Sequence, residues 1–567
     1  MRIAVIDLEL CNPSVCDFLC VRLCPRNRAG ESCITREEVM KKFMPKIDEG
    51  LCIGCGICSN KCPKKAITII NTPEELKEYP MHRYGKNAFV LFRLPVPVKG
   101  VVGLLGANGV GKTTALQILS GNLKPNLGKK EAEWKDIIKL HRGSELQDYF
   151  EKLSEGKITA VYKPQNVSVL TKMKKKVKEL EIKEELIKDL ELTNCLNQNL
   201  SELSGGELQR TAIAVALSRD VDIYYFDEPS SYLDVKQRIN VARAIRKKAE
   251  EKYVMVVEHD LATLDFIADR IHIFYGAPGV FGVVSKPYAT KNGINAFLSG
   301  FIKEDNVRIR DATNFEITAM DKKKGVQKIV EFSGIKKKLD RFELAIEKGE
   351  IRKDEVLGIF GPNALGKTTF AKILAGEIKA EGEISKKLKI SYKPQYIESD
   401  FEGTVNELLK TVKKHERFNI LSNRLNIEKL LEKKVNKLSG GELQRVAILI
   451  CLSNDCDLYL LDEPSAYLDV DQRLAVAKAI RDSGTCAVID HDLLFLSYIA
   501  DRAMVFSGES GLHGSAECMT LHDGFNKFLK EVGVTFRRDP ETKRPRANKL
   551  DSVKDREQKE RGEYFYE

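Results

Sequence analysis

Apolar residues along this chain come in short blocks with two spacings. Val101–Leu105 and Val356–Phe360 are almost unbroken apolar runs, each followed by a glycine-rich stretch and then by apolar positions at helical spacing. That order predicts strand, loop and helix. Ile223–Asp227 and Leu458–Asp462 read as buried strands ending on an aspartate. Between Trp134 and Leu153, the positions of Ile137, Ile138, Leu146, Tyr149, Phe150 and Leu153 predict two short amphipathic helices joined near Gly143-Ser144. The longest apolar stretches, such as Val446–Leu452, have core length, and none approaches the roughly 20 residues a bilayer crossing needs. The opening MRIAVIDLEL lacks the basic and long apolar regions of a secretory signal. The expected location is therefore cytoplasmic, with room for a nuclear fraction and no membrane partner.

The pattern repeats. Leu203–Arg210 and Leu438–Arg445 both read LSGGELQR, and Asp227-Glu228-Pro229-Ser230 returns as Asp462-Glu463-Pro464-Ser465. Gly106–Thr114 (GANGVGKTT) returns as Gly361–Thr369 (GPNALGKTT), YKPQ occurs at Tyr162 and Tyr392, and His-Asp at His259 and His491. Two cassettes of one design lie in tandem. Lys112 and Gln165 are 53 positions apart, Lys367 and Gln395 only 28, so the first cassette carries about 25 extra residues, placed around Trp134–Leu153. The insertion is a structural bump or a partner-docking element. Each cassette also ends on an echo: Gly293–Leu298 with Gly524–Leu529, and Arg308–Asp311 with Phe536–Asp539. Pro540 and Pro545 forbid a long regular element in the basic segment Arg537–Lys549, which reads as an extended strap. Two such straps could form a hinge.

At 567 residues the chain needs three or four domains. A net charge of +10 permits a nucleic-acid or ribosomal partner without demanding one. The fourteen cysteines are uneven: nine lie within the first 62 residues. Without a secretion signal, that cluster points to metal rather than disulfides. Cys52, Cys55, Cys58 and Cys62 followed by Pro63 have the bacterial ferredoxin spacing, in which the fourth cysteine serves the other cluster. Cys11, Cys16, Cys20 and Cys24 followed by Pro25 form a stretched partner set. Crossing over gives one 4Fe–4S cluster on Cys24, Cys52, Cys55 and Cys58 and another on Cys11, Cys16, Cys20 and Cys62; zinc is the competing reading. Cys33 is left over as structural.

The two glycine-rich loops fit phosphate loops. Gly106, Asn108, Gly109 and Gly111, like Gly361, Asn363 and Gly366, let backbone N–H groups crowd round phosphates, with Thr114 and Thr369 on the helix that follows. Lys112 and Lys367 would neutralise the β and γ phosphates, and Thr113 and Thr368 would ligate Mg2+. Asp227 and Asp462 end their strands where the metal sits. Glu228 and Glu463 are placed to take a proton from the attacking water. Gln165 and Gln395 can touch both metal and water; His259 and His491 can reach the γ-phosphate. Any one of these could be structural, but their shared order favours catalysis.

LSGGELQR resembles the signature of ATP-binding cassette (ABC) proteins. The resemblance implies that Ser204, Gly205 and Gly206 face the ATP held by Lys367, and Ser439, Gly440 and Gly441 the ATP held by Lys112. The loops ending in Asp234 and Asp469 would contact the opposite sites. The whole layout resembles the E subfamily, the iron–sulfur ATPases called ribosome-recycling ATPases or RNase L inhibitors. His82–Tyr84 with Asn87–Phe89 looks like that family's adenine-stacking segment, through Tyr84 and Phe89. Arg142–Gln147 looks like its inserted helix-loop-helix, and Phe536–Pro540 with Arg544–Arg546 like its hinge. The expected fold is α/β: a ferredoxin-like α+β domain at 1–72, ABC nucleotide domains at 73–300 and 320–530, a hinge at 301–319 and a basic hinge strap at 531–567. The implied function is ATP-driven ribosome splitting after termination or rescue. The implied partners are the small subunit with its rRNA and proteins, a release-factor-like protein and initiation factors, by a chain that is monomeric off the ribosome. A redox enzyme and a transporter motor are the alternatives. Three departures stand out: Ala364 replaces Gly109, Asp490 replaces Glu258, and the cysteine domain is nearly charge-balanced.

Overall fold

The structure, a computed structural model, describes residues 2–39, 42–71, 79–310, 312, 327–397 and 401–566. The chain divides into two units, one of Met1–Pro229, Ala244–His259 and Ile267–Thr313, the other of Ser230–Arg243, Asp260–Phe266 and Asn314–Glu567. Two pieces of the first cassette's sequence thus belong with the second, which no domain boundary drawn along the sequence captures. Asp311 and the boundaries at 72/73 and 319/320 lie outside the described residues.

In the first unit the cysteine domain pairs Arg2–Ile6 antiparallel with Ile67–Asn71 and Ile34–Val39 antiparallel with Lys42–Ile47. Four short helices, Pro13–Cys16, Leu19–Leu23, Pro25–Arg28 and Ile57–Lys61, carry Cys16, Cys20 and Cys58, with Cys24 and Cys62 as cap residues. Pro25 opens its helix at the first position, where its missing N–H would have had no partner. The core is small: Cys20, Cys24, Cys33, Cys52 and Cys58 pack with Ala4, Ile6, Ile34, Ile47 and Ile67. So few carbon side chains hold a domain this short only with an added cross-link. Arg83 on the cassette strand Pro80–Arg83 binds Glu49 with both guanidinium nitrogens, at 2.8 and 2.6 Å. The buried Asn87 amide donates to the carbonyls of Ala4 and Ile47, each at 3.0 Å. The cysteine domain is therefore seated on the segment beside the first phosphate loop.

The first cassette's strand Ile223–Asp227 is buried at every position and lies parallel between Ala160–Lys163 and Tyr253–Val257, which is why its apolar run does not alternate. Gly100–Gly106 runs parallel to Arg270–Ala277 and delivers the chain to the helix Lys112–Leu119. The insertion forms the two predicted helices, Trp134–Leu140 and Glu145–Ser154. Ile137, Leu146, Tyr149 and Phe150 sink into the cassette core, and the Tyr149 hydroxyl lies 2.7 Å from that of Tyr225. The second cassette has one nine-stranded sheet, in the order Glu381–Ile384, Lys328–Leu339, Phe342–Arg352, His513–Thr520, Arg502–Glu509, Val356–Phe360, Cys486–Ile489, Leu458–Asp462, Ile390–Lys393. Its last four members are parallel and carry the nucleotide machinery at their C-terminal ends.

Two expectations are corrected. The helix Leu521–Val532 runs through the boundary drawn at 530. The basic strap is not one extended segment but an antiparallel hairpin of Phe536–Arg538 and Pro545–Ala547, followed by the helix Val553–Arg561. Asp539 makes the turn, its carboxylate accepting from the N–H groups of Glu541 and Thr542. The first strap is likewise a small hairpin, Phe301–Ile302 with Val307–Arg308.

Candidate nucleotide sites and cysteine centre

Each phosphate loop curls round its own lysine. Lys112 Nζ donates to the carbonyls of Gly106 and Ala107 at 2.8 and 2.7 Å, Lys367 Nζ to those of Gly361 and Pro362 at 3.0 and 2.6 Å. Burial lowers Lys367 to about 8. Gly111 and Gly366 cap the two helices with φ of 94° and 89°, a conformation that a β-carbon strains. Ala364 does adopt a left-handed φ of 59°, against 77° at Gly109, and its carbonyl accepts from Gly511 as that of Gly109 accepts from Gly279. The substitution keeps the loop's shape with a strained residue in place of a free one.

Thr113 Oγ1 donates to Asp227 Oδ2 at 2.7 Å, and Thr368 Oγ1 to Asp462 Oδ2 at 2.8 Å. The other oxygen of each aspartate is buried without a hydrogen-bond partner. Burial raises both carboxyls above their ordinary range. One residue on, Glu228 and Glu463 sit in the left-handed region at φ of 47° and 48°. His259 Nε2 lies 3.4 Å from Glu228 Oε1 and His491 Nε2 3.6 Å from Glu463 Oε1. The sites differ at the glutamine: Gln395 donates to Glu463 Oε1 at 2.7 Å, whereas Gln165 is exposed and is not brought to its glutamate. Burial, with Asp462 and Asp490 nearby, raises Glu463 to about 7. The role of Asp490 is now visible. It accepts from the N–H and hydroxyl of Ser465 at 3.0 and 2.7 Å and from the N–H of Asp492 at 2.8 Å, tying the loop after Glu463 to the loop of His491.

Ser204 and Ser439 cap the helices Gly205–Ser218 and Gly440–Ser453, each in a capping box with the glutamate three residues on. Both serines are exposed. A β-carbon on Gly441 would stand 2.7 Å from the carbonyl of Tyr467, and one on Gly440 would press that tyrosine's ring. Within the second unit, Asp234 Oδ2 accepts from the N–H of Asn363 at 2.9 Å, and the rings of Tyr232 and Tyr467 meet edge-on at 6.1 Å. Tyr84 is exposed, its hydroxyl 3.2 Å from Thr114 Oγ1, and Phe89 packs against Gly111.

Cys11, Cys16, Cys20 and Cys62 line one cavity, closed by Pro13, Phe18, Pro45 and Pro63. Burial, then the neighbouring thiols, pushes Cys11 up to about 11. Cys24, Cys52 and Cys58 are buried and Cys55 is exposed; Cys58 is pushed up to about 12 by burial and by Cys52. Backbone N–H groups of Gly54 and Ala66 point at the sulfurs of Cys52 and Cys62 at 3.4 Å. Cys33 lies against Cys24 in the domain core.

Three family models match: "ABC transporter" at residues 92–231 and 346–466, "4Fe-4S binding domain" at 45–68, and "Possible Fer4-like domain in RNase L inhibitor, RLI" at 1–32. The translation initiation factor RLI1 of Saccharomyces cerevisiae is 44% identical over all of this chain and 98% of its own length. The chain belongs to the RNase L inhibitor family of ABC ATPases. An uncharacterized ABC transporter ATP-binding protein of Methanocaldococcus jannaschii is 51% identical over 100% of this chain and 98% of its own. A solved structure titled as a model of ribosome-bound archaeal Pelota and ABCE1 matches with a TM-score of 0.93 at 51% identity, over 100% of this chain and 99% of that one. A crystal structure of archaeal ribosomal stalk protein aP1 with the archaeal ribosome recycling factor matches at 0.83 and 50%, over 88% and 100%. As a member of the family the chain is an ATP-hydrolysing, non-transporter ABC enzyme with a 4Fe–4S binding domain. Among its described residues no helix is long and apolar enough to cross a membrane.

Reading the sequence missed several residues that hold this family member's sites in shape. Lys163 Nζ donates to the carbonyls of Asp227 and Glu228, and Lys393 Nζ to those of Asp462 and Glu463, at 2.6–3.4 Å. Gln209 and Gln444 of the signature helices add donors to the same glutamate carbonyls at 2.8 and 2.6 Å. These clamps keep each glutamate in its left-handed conformation. The repetition of YKPQ and LSGGELQR was the available signal. Phe342, which packs on Gly366 as Phe89 does on Gly111, had none.

Proposed function

We propose that this chain is an ATP-driven ribosome-splitting factor with two Mg2+–ATP sites and two 4Fe–4S clusters, working in the cytoplasm. After splitting it stays with the small subunit, beside a release-factor-like protein before and initiation factors after. One observation carries this reading: the whole chain, cysteine domain included, matches the archaeal protein seen on the ribosome with Pelota.

The sites fit the groups they would hold. The partnerless buried oxygens of Asp227 and Asp462, each beside a threonine hydroxyl, suit an octahedral cation. Four thiols line one cavity and no imidazole or carboxylate lines it with them. That all-thiol donor set, with the matching 4Fe-4S binding domain model, supports a cluster. Mg2+ would neutralise phosphate charge; the clusters would cross-link a domain with little core of its own.

In turnover, Lys112 and Lys367 leave their own loop carbonyls for the β and γ phosphates. Ser204 and Ser439 close on the ATP of the other cassette. Glu228 and Glu463 take the proton of the attacking water, and His259 and His491 hold the γ-phosphate. Because Arg83 and Asn87 bind the cysteine domain next to Gly111, closure is transmitted to that domain.

The test is a sucrose gradient of post-termination ribosomes given the holoprotein, a release-factor-like protein and a nonhydrolysable ATP analogue. Free subunits with the protein on the small one are expected, and Ser204→Arg with Ser439→Arg should abolish the effect. Ribosomes that stay joined with every nucleotide would refute the reading.

A further inference from the structure

One surface of the first cassette has no part in the machinery above. Residues 172–178 read KMKKKVK: five lysines in seven positions. Lys172, Lys174, Lys175 and Lys178 are exposed, as are Val169 and Met173 beside them, at 64% and 41%. The 3₁₀ turns Ser168–Lys172 and Val177–Glu179 fix the backbone, and Val177, fully buried, anchors it in a small core with Val167, Cys195 and Leu200. Lys178 reaches the side-chain carbonyl of Asn197 at 3.1 Å, and Glu202 feels Lys176. No acidic side chain pairs with Lys172, Lys174 or Lys175 among the described residues. Like charges so crowded repel one another, and burial of Val177 alone requires none of them.

The second cassette shows that the fold does not need them. There Thr404 bridges to Lys434 as Lys176 bridges to Asn199, so 401–406 occupy the matching place. They read FEGTVN, with one acid and no base. The backbone lacing is shared. In the first cassette, the N–H groups of Val177 and Lys178 donate to Gln198 and Leu196, and that of Leu200 to Lys175, at 3.0–3.2 Å. In the second, Val405 and Asn406 donate to Lys433 and Leu431, each at 3.0 Å. The laced segment, 195–203, leads straight into Ser204, and Cys195 touches Glu207 of the same capping box at 3.3 Å.

We infer that Lys172, Lys174, Lys175, Lys176 and Lys178 form a docking surface for the phosphate backbone of RNA, wired through residues 195–200 to the first signature serine. A row of closely spaced ammonium groups with flanking apolar side chains suits a polyanion at fixed spacing. Because the backbone under the lysines is hydrogen-bonded to the signature approach, RNA on this surface biases the position of Ser204 and so the rate at the Lys367 site. The inference rests on the ribosome reading and names the part of the particle this surface meets.

The experiment uses the full holoprotein and purified small subunits with a nonhydrolysable ATP analogue, over a series of salt concentrations. Lys174→Glu with Lys175→Glu and Lys176→Glu should weaken binding at least about tenfold and flatten the salt slope by about two, roughly 0.7–0.9 for each phosphate no longer neutralised. Ribosome-free ATPase activity should not change, while stimulation by subunits in the Glu228→Gln background should fall. A photo-crosslinker at Val169 should label RNA. An unchanged affinity and slope overturns the inference, and so does a crosslink to an acidic protein. If the parental chain fails to bind subunits at all, it is the ribosome reading that fails, and a crosslink to naked rRNA then decides this surface by itself.

Discussion

The two cassettes share eight letters at the signature, nine positions of nearly matching phosphate loop and the same Asp-Glu-Pro-Ser, yet their glutamates stand in different company. At Glu463, Gln395 is already hydrogen-bonded and Asp490 is a short strut between the glutamate's loop and that of His491. At Glu228, Gln165 points to solvent and Glu258 accepts from the N–H of its neighbour His259 at 2.9 Å. The signature glutamates differ too: Glu442 meets the ammonium of Lys433 at 2.9 Å, Glu207 the thiol of Cys195. The repeated motif decides which atoms are present. Residues outside the motif decide how each set is arranged before nucleotide arrives, so two copies of one machine need not run at one rate.

The largest effect should come from the glutamates themselves. On the proposed mechanism Glu228→Gln and Glu463→Gln would each remove the proton acceptor at one site, and hydrolysis there should fall at least about 100-fold while ATP still binds. Single-turnover assays of the two variants then report the two sites separately. Equal residual rates would mean that the different surroundings of the glutamates are without consequence. Parental turnover in the double variant would remove them as bases.

Next is a buried charge cluster present on one side only. Asp265 accepts from Arg544 at 3.1 Å and from Arg546 at 2.7 and 3.0 Å, with Arg544 and Asp265 almost wholly buried. Counting from the histidines, the equivalent of Asp265 in the second cassette is Ser497, whose hydroxyl merely bonds Leu494. Asp265→Ser should therefore leave the buried Arg544 without its hydrogen-bonded carboxylate and Arg546 with only Asp539, 3.6 Å away, and destabilise the C-terminal hairpin by about 3–5 kcal/mol. Ser497→Ala should cost less than about 1 kcal/mol. Denaturant unfolding of both variants checks the contrast, and equal losses would sink it.

The asymmetry was only partly legible in the sequence. Strands, phosphate loops and the two inserted helices follow from spacing, because each is set by neighbours within a few residues. What escaped depends on distant partners. Asp265 meets Arg544 across 279 positions, and the segments Ser230–Arg243 and Asp260–Phe266 join the other unit although they lie between elements of their own. The strap was read as extended because prolines exclude helix; that Asp539 would fold it into a hairpin needed the turn bonds to be seen. The effect of Asp490 could not be read either, because sequence shows its length and not the serine it holds.

Proton linkage gives a smaller and more specific handle on the second site. Burial holds Lys367 at about 8. On the proposed mechanism phosphate beside it would restore the charged form, so its pKa would rise on binding and ATP binding would take up a proton above that pH. Affinity should then fall as pH rises through 8, by roughly tenfold between pH 7 and 9 if the shift is fully reversed. Calorimetry of the Lys112→Ala variant, whose second site alone binds, measures both affinity and proton uptake. Lys367→Arg stays charged and should show a flat profile; a flat profile with lysine present would contradict the argument.

The smallest change goes to the centre of the comparison. Asp490→Glu adds one methylene to a carboxylate that is 2% exposed and makes three hydrogen bonds across two loops. The extra length pushes Ser465 and His491 apart, and with them the geometry around Glu463, so hydrolysis at the second site should drop a few-fold. Glu258→Asp is the reciprocal change; a shorter side chain there leaves a gap rather than a clash, and the first site should respond less. Each variant is read in the background where the other site carries its Glu→Gln change. Asp490→Asn supplies the control, since it retains the length and one oxygen acceptor and should lose less than Asp490→Glu if geometry is what matters. A greater loss with asparagine would mean that the negative charge of Asp490, and not its reach, sets the behaviour of the second site.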